Sequence, residues 1–458
     1  MKEPIVSISG IRGILGESLT SNNIIKFSRA FANYIGNKRI VIGRDGRLYS
    51  DVIEKIIEST LLINGCEVIN LSVSPTPTIT LAVKTLNAQG GISITASHNL
   101  QEWNGMKFIN RYGIFLNALE YKEFFKYVNH KSKYPVGNNK IKQVEYYPKF
   151  YDYHINKVLN VRSLNVQKIR KRKFKVVLDC VNASGSLILH KFLRKLGCII
   201  IRIDCDGSGV FTRNPEPLPE NIIKACKAVK NSKADLGIVV DPDADRLVII
   251  NEKGEPLGEE YTIVIVINYI LKKATVTKRI AVVNLSTTKA VDDIVKNLKG
   301  KLYKTPVGEI NVIKKMIKTR AIVGGEGSGG VILPEVHYSR DSLVGIALIL
   351  SEFAESGLKV SEYKKYLPQY FIVKDKINSD EVNKDKLLSY LSEKFKLLKQ
   401  NRQDGLRIDF EDSWINLRKS NTEPIIRIIA EAKSKKLAKL LVGNMRLEIE
   451  KFSKSPLI

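Results

Sequence analysis

"ADLGIVVDPDADR", residues 234–246, sets an apolar run directly against an acidic loop. Ile238, Val239 and Val240 are β-branched and the run from Leu236 to Val240 has no polar side chain, which is the pattern of a strand buried on both faces. Asp241, Asp243 and Asp245 follow at alternate positions, separated by Pro242 and the small Ala244. Three carboxylates this close repel one another unless a cation neutralises them, and hard oxygen ligands suit Mg²⁺. Arg246 comes next, a fork of donors suited to phosphate oxygens.

Outward from this stretch, the same rhythm occurs three times. The block just quoted also holds "FKVVLDC" (174–180) and "CIIIRIDC" (198–205). An earlier block has "RIVIGRD" (39–45), "CEVINLS" (66–72) and "GGISITASHN" (90–99). A later one has "RIAVVNL" (279–285), "KLYKTPVGE" (301–309) and "RAIVGGEGSGG" (320–330). Between the first two runs of each block lies an amphipathic segment: "SDVIEKIIESTLLING", "SGSLILHKFLRKLG" and "TTKAVDDIVKNLKG". These read as helices, with Ser50 or Asp51 placed to cap the first and Gly65, Gly197 and Gly300 closing the three. Alternating strands and helices predict α/β units with largely parallel sheets.

After Pro368 the pattern changes. "YFIVKDKI", a helical "NKDKLLSYLSEKFKLL", the closely spaced runs "GLRIDFED", "SWINLRKS" and "PIIRIIAEA", and a final helix close the chain. Strands joined by short turns predict an antiparallel sheet with helices to one side. The expected fold is therefore three similar α/β domains with mixed, mostly parallel sheets plus a C-terminal α+β domain with an antiparallel sheet. The expected domains span residues 1–150, 151–252, 253–367 and 368–458.

The totals agree with several domains, because 458 residues exceed what one hydrophobic core supports. The longest apolar stretch, "YTIVIVINYIL" (261–271), is too short to span a bilayer, and the N-terminal residues lack the apolar segment of a signal peptide. A cytoplasmic protein with no membrane partner is expected. The cysteines Cys66, Cys180, Cys198, Cys205 and Cys226 form no C-x-x-C pair and read as buried free thiols of a reducing compartment. A formal charge of +27 raises the question of nucleic acid. Its densest run, "KIRKRKFK" (168–175), lacks aromatic interleaving and leads straight into a strand, so a solvated face is expected and no specific nucleic acid. A positive field also favours anionic small substrates.

Ligands of open α/β sheets bind beyond the carboxyl ends of the strands, where each block carries a polar loop. "GGEGSGG" offers glycines for close approach, with Glu326 and Ser328 suited to sugar hydroxyls. "RKSNTEPIIR" gathers Arg418, Ser420, Asn421, Thr422 and Arg427, a set suited to a phosphate dianion. In "TASHN", Ser97 is a candidate nucleophile or phosphate carrier, with His98 beside it and Lys107 beyond. No G-x-S-x-G elbow surrounds it, and adjacent strand residues point opposite ways, so a Ser97–His98 pair does not follow from adjacency.

Together these loops resemble the α-D-phosphohexomutase superfamily, the phosphoglucomutases and phosphomannomutases. "TASHN" is similar to that family's phosphoserine loop, "DPDADR" to its metal loop, "GGEGSGG" to its sugar loop and "RKSNTEP" to its phosphate loop, in the family's order. "GIRGI" (10–14), "GRDGR" (43–47) and "TPVGE" (305–309) add to the likeness, which spans nearly the whole chain. The resemblance implies an intramolecular phosphotransferase that interconverts hexose 1-phosphate and hexose 6-phosphate, of glucose or mannose, through a bisphosphorylated sugar. It implies Ser97 as the phosphoserine, with Asp241, Asp243 and Asp245 and a phosphate oxygen of Ser97 holding one Mg²⁺. Arg12, His98, Lys107 and Arg246 would line the reacting centre, with Lys107 a candidate acid or base. Glu326 and Ser328 would grip sugar hydroxyls, and Thr305, Val307 and Gly308 would read sugar configuration. Arg418, Ser420, Asn421, Thr422 and Arg427 would hold the phosphate that does not react. Hexose 1,6-bisphosphate would serve as activator, and a homodimer is compatible with the likeness. Leu100 stands where many members carry proline, and Gly330 where many carry histidine, leaving Lys107, His98 or His337 to move protons. Phosphoglucosamine mutase is the alternative within the superfamily. A non-catalytic protein that binds polyanions on a mutase scaffold is the alternative from another class.

Overall fold

A computed structural model describes residues 3–129, 142–378, 383–419 and 425–453. The chain divides into two compact units, Met1–Lys273 with Ser328–Lys364 and Ala274–Gly327 with Lys365–Ile458.

The first unit holds two sheets. In the larger, the strands run in the order Ile5–Ser7, Gly10–Ile14, Trp103–Asn110, Gly90–Ile94, Ile40–Arg44, Val68–Val73 and Glu145–Tyr146. Gly90–Ile94, Ile40–Arg44 and Val68–Val73 are parallel, as the β-branched runs predict, while Trp103–Asn110 returns antiparallel. That return brings Lys107 opposite Ser93, and Gly105 opposite Arg12 of the next strand. The second sheet has the order Leu247–Asn251, Leu236–Val240, Lys175–Asp179 and Ile199–Ile203. Its last three strands are parallel, and Leu247–Asn251 is antiparallel to Leu236–Val240. Both mixed sheets agree with the expected class.

In the second unit, Lys301–Thr305, Ile280–Asn284 and Val323–Glu326 are parallel, with Ile280–Asn284 in the middle. The C-terminal sheet is antiparallel throughout, in the order Phe371–Asn378, Ile425–Ala432, Trp414–Lys419, Leu406–Asp409 and Lys399–Asn401. The alternation in "IIRIIAEA" sorts its residues by face: Ile426, Ile428 and Ala430 are buried and Arg427 is exposed. The buried side packs with Leu387 and Leu391 of helix Lys384–Lys394 and with Val442, Met445 and Ile449 of helix Lys435–Ser453. Each buried Leu or Ile contributes about 1.5–3 kcal/mol, which is what holds those helices to one face.

The helix boundaries show where local reading stops short. Helix Ser50–Ile63 is not capped by Ser50 or Asp51: it starts from Tyr49 in the left-handed region (φ 63°) with no side-chain cap. Ser50 Oγ instead donates to the Arg47 carbonyl at 2.7 Å. Gly65 (φ 81°) and Gly197 (φ 76°) end their helices as expected. In the third block the left-handed residue is Lys299 (φ 53°). Gly300 is needed for space, since a Cβ there would lie 2.8 Å from the Arg279 carbonyl. Cys66, Cys180 and Cys205 are buried and Cys198 and Cys226 half-buried, all free. Among the described residues, no helix is long and apolar enough to cross a membrane.

Candidate active site

The strand Gly90–Ile94 runs fully buried into Thr95, and the chain then turns at Ser97, whose φ of 53° is left-handed. This turn breaks the strand alternation. It brings Ser97 Oγ within 3.3 Å of His98 Nδ1, a pairing that adjacency in a strand would not produce. The loop is braced from beneath by a buried aspartate–arginine pair. Arg47 Nε donates to Asp45 Oδ2 at 2.9 Å, Thr95 Oγ1 donates to the same oxygen at 2.6 Å, and Ser97 N donates to Thr95 Oγ1 at 2.8 Å. The rest of the Arg47 guanidinium donates to the carbonyls of Ser97 (2.5 Å), Trp103 (2.6 Å), Asn99 and Leu100 (both 3.4 Å). Sequence reading noted "GRDGR" and assigned it no role. The cue was a charged pair closing a β-branched run, but nothing local shows that its donors reach a loop fifty residues on. Leu100, where proline was the commoner residue, is nearly half exposed and leaves the loop held by Arg47.

The acidic loop is coiled rather than extended. Ala244 is left-handed (φ 51°) and its N–H donates to the Asp241 carbonyl at 3.0 Å, so the alternate aspartates converge. One oxygen of each is tied down. Asp241 Oδ1 accepts from the amides of Asp245 (3.2 Å) and Arg246 (3.1 Å). Asp243 Oδ2 accepts from Lys107 Nζ (2.6 Å) and Thr76 Oγ1 (2.9 Å), and Asp245 Oδ2 from Arg340 Nη2 (2.5 Å). The other oxygen of each, Asp241 Oδ2, Asp243 Oδ1 and Asp245 Oδ1, is buried without a hydrogen-bond partner. One carboxylate oxygen from each of the three can be chosen so that all lie within 4.8 Å of one another. Buried carboxylate oxygens are costly to leave unpaired, so this set fits a hard cation. The titration behaviour agrees: burial, then the charges of Asp245 and Asp243, hold the Asp241 carboxyl well above the usual range. Burial also opposes ionisation of Asp243, but Lys107 and Thr76 outweigh it and keep that carboxyl below the usual range.

The two loops are joined. Thr76 Oγ1 lies 2.8 Å from Ser93 Oγ in the serine strand, and Thr76 N donates to the Asp243 carbonyl at 3.0 Å. Arg246 Nη1 donates to Glu216 Oε1 at 2.9 Å, and His98 Nε2 stands 4.0 Å from the same oxygen. The charge of Arg246, then burial, then Arg12 push the His98 imidazole well below its ordinary value, which keeps it neutral. Arg12 Nη1 donates to Asn99 Oδ1 at 3.0 Å. Ser97, His98, Lys107, Arg12, Arg246 and the three aspartates are thus gathered in one place. His337 is held elsewhere, with Nε2 2.9 Å from Asp341 Oδ2 and Nδ1 3.3 Å from Thr80 Oγ1. Glu216, Thr76 and Arg340 were not found from sequence, since none belongs to a recognisable local pattern.

The second unit holds Thr305, Val307, Gly308, Glu326, Arg418 and Arg427. Glu326 Oε1 accepts from Asn284 Nδ2 (2.8 Å) and from Gly308 N (3.1 Å), which ties the "TPVGE" turn to the end of strand Val323–Glu326. Thr305 ends its own strand and its hydroxyl donates to the Pro306 carbonyl at 3.0 Å. Val307 N donates to Asp404 Oδ2 at 2.9 Å, and Arg418 Nε pairs with Asp404 Oδ1 at 3.0 Å. Arg418 lies directly opposite Arg427, which lies directly opposite Lys376 on the next strand. Like charges in cross-strand register are unfavourable, and an anion relieves them. Ser328 belongs to the first unit and is half-buried. Ser420, Asn421 and Thr422 lie outside the described residues.

Comparison with known proteins gives the same order of parts. Sequence profiles described as phosphoglucomutase/phosphomannomutase alpha/beta/alpha domains I, II and III match residues 5–135, 152–254 and 258–371, and the profile of the C-terminal domain matches 377–448. The chain is 36% identical over 442 residues to a phosphoglucomutase/phosphomannomutase of Thermococcus kodakarensis, covering 94% of this chain and 95% of that one. It is 32% identical to a phosphoglucosamine/phosphogalactosamine mutase of Sulfurisphaera tokodaii, covering 96% and 98%. In structure it is similar to a phosphoglucomutase/phosphomannomutase family protein of Burkholderia thailandensis, with TM-score 0.82, 22% identity and 99% of each chain covered.

Proposed function

The chain belongs to the phosphoglucomutase/phosphomannomutase family, and on that premise we propose that it interconverts the 1- and 6-phosphates of glucose or mannose through phospho-Ser97. Its reaction class is that of the family: it is an intramolecular phosphotransferase, an isomerase that acts on sugar phosphates. The observation that carries the proposal is a set of three converging aspartates, each leaving one buried oxygen without a hydrogen-bond partner, joined through Thr76 to the strand that leads into Ser97.

In this reading Ser97, Asp241, Asp243 and Asp245 hold Mg²⁺. A bound Mg²⁺ there would supply charge neutralisation for an in-line phosphoryl transfer. The P–O bond to Ser97 Oγ breaks as a new one forms to the free sugar hydroxyl, whose proton passes to a base while the departing Ser97 Oγ takes up a proton from an acid. The bisphosphate then presents its other phosphate to Ser97, and the reverse step regenerates the enzyme. Hexose 1,6-bisphosphate is accordingly both intermediate and activator. With His337 engaged by Asp341, the acid and base roles fall to Lys107 and His98. Neutral His98, 3.3 Å from Ser97 Oγ, is placed to accept the serine proton. Arg12 and Arg246 contribute fixed positive charge where phosphoryl charge develops. Arg418, Arg427 and the Ser420, Asn421 and Thr422 segment hold the phosphate at the far end of the sugar, while Glu326, Ser328, Thr305, Val307 and Gly308 contact its hydroxyls.

Amino sugar phosphates are the second reading, favoured by the similarity to the Sulfurisphaera tokodaii enzyme. Turnover of glucose 1-phosphate, mannose 1-phosphate and glucosamine 1-phosphate, with Mg²⁺ and a trace of the matching bisphosphate, separates the two. Preference for the first two supports the proposal, preference for the third assigns the alternative, and failure on all three overturns both.

A further inference from the structure

Asp241 Oδ1 is held by amides of its own loop, and Asp243 Oδ2 by Lys107 of strand Trp103–Asn110 and by Thr76, the first residue of helix Thr76–Thr85. Asp245 Oδ2 is held by Arg340, ninety-five residues on and part of no loop singled out in the sequence, by a charged guanidinium that approaches from the segment after strand Gly330–Ile332. The Arg340 backbone is built in firmly. Asp341 N donates to the Val331 carbonyl at 2.8 Å, and Ser342 N donates to the Ala244 carbonyl, inside the metal loop, at 3.3 Å. Asp341 Oδ1 accepts from the amides of Leu343 and Val344, and its Oδ2 lies 2.8 Å from His154 Nε2 and 2.9 Å from His337 Nε2. The Arg340 side chain then crosses Gly330. A Cβ on Gly330 would lie 2.3 Å from Arg340 Cδ and 2.9 Å from its Cγ, so any side chain here, down to a methyl group, occupies the path of the arginine. Gly330 has no left-handed φ, and space is what requires glycine at this position.

We propose that Arg340 is the positioning residue that aims Asp245 at the metal ion, and that Gly330 is the gap through which it reaches. The proposal rests on the mutase reading of the three aspartates. Two effects of Arg340 oppose each other. Its charge repels a divalent ion, whereas its hydrogen bond keeps Asp245 Oδ1 turned toward the cluster. The second wins because Lys107 Nζ stands only 3.7 Å from Asp245 Oδ2. Released from Arg340, that carboxylate closes on Lys107 and withdraws from the ion. Loss of such an outer partner lowers metal affinity by about 10–100-fold.

The test is Mn²⁺ binding by the full chain, followed by electron paramagnetic resonance without sugar phosphate. Arg340→Met and Gly330→Ala should each weaken Mn²⁺ by about tenfold or more. The double variant should be no weaker than either single one, because both remove the same contact. Arg340→Lys should recover part of the loss, and thermal melting without metal identifies any variant that fails to fold. Unchanged or tighter Mn²⁺ binding by folded Arg340→Met overturns the inference, as do additive losses in the double variant. A wild-type chain that binds no Mn²⁺ overturns the metal reading itself, and the inference with it.

Discussion

The serine and aspartate loops of the first unit contrast with the Glu326 and Arg418 region of the second. In the first, Ser97 and the three aspartates are all but inaccessible, and short hydrogen bonds from Arg47, Lys107 and Arg340 hold them. In the second, the Arg418 side chain is 28% exposed and its Asp404 partner 16%. The difference follows from what each is proposed to do. Phosphoryl transfer needs groups held in place before substrate arrives, because charge must be met without reorganisation. A phosphate that binds, leaves and returns by its other end needs open positive charge. Buried pairs are strongly coupled to the fold, whereas exposed ones are screened and contribute little to it.

Four substitutions or conditions press on that contrast. Ser97→Ala should lower turnover by at least about a thousandfold while the melting temperature stays unchanged. Stopped and equilibrium assays with hexose 1-phosphate check this, and full turnover by the variant would sink the phosphoserine. Arg47→Met leaves Asp45 charged and buried and strips four carbonyls of a donor. It should cost about 3–5 kcal/mol of stability, read from denaturant midpoints, and carry activity down with it. Arg418→Gln should instead raise KM about tenfold with kcat little altered and the fold intact, as expected where binding is lost but the reacting centre is not. A collapse in stability there would erase the distinction between the two regions.

The smallest expected effect isolates burial without a charged partner in the first unit's core. Burial pushes the Cys66 thiol up to about 12 from an ordinary value of 9.0, with only Lys142 opposing. Between these values the unfolded chain has released the proton and the folded chain has not, so stability falls as pH rises above 9. The loss should reach up to about 1 kcal/mol from pH 9 to 10. Cys66→Ala should flatten this decline in urea midpoints measured across that range, and an unchanged slope would remove the thiol as its cause. Asp243 is the counterpart, since there Lys107 reverses what burial alone would do.

Much of the fold was legible because each strand carries its own signature. "GIVV", "ISI" and "KVVL" are dominated by β-branched apolar residues, and the buried strands lie where they stand. Four of the five antiparallel C-terminal strands follow from short turns and the alternation in "IIRIIAEA"; the fifth, Lys399–Asn401, has no apolar residue and went unread. The candidate reacting residues were equally local. Ser97, the three aspartates and Arg246 sit in loops whose composition is unusual after a buried strand.

What the sequence by itself determined was therefore the central strands of each block, most of the C-terminal ones, and the polar loops that follow them, because periodicity and residue type act over a few neighbours. Only the tertiary structure decided how those loops are held. Ser97 meets His98 because its backbone turns left-handed, Asp45 and Arg47 brace a loop fifty residues on, and Gly330 clears a path for Arg340 toward Asp245. All but the first of these contacts join residues far apart in the chain. Their energies arise from burial and geometry that exist only after the sheets have formed.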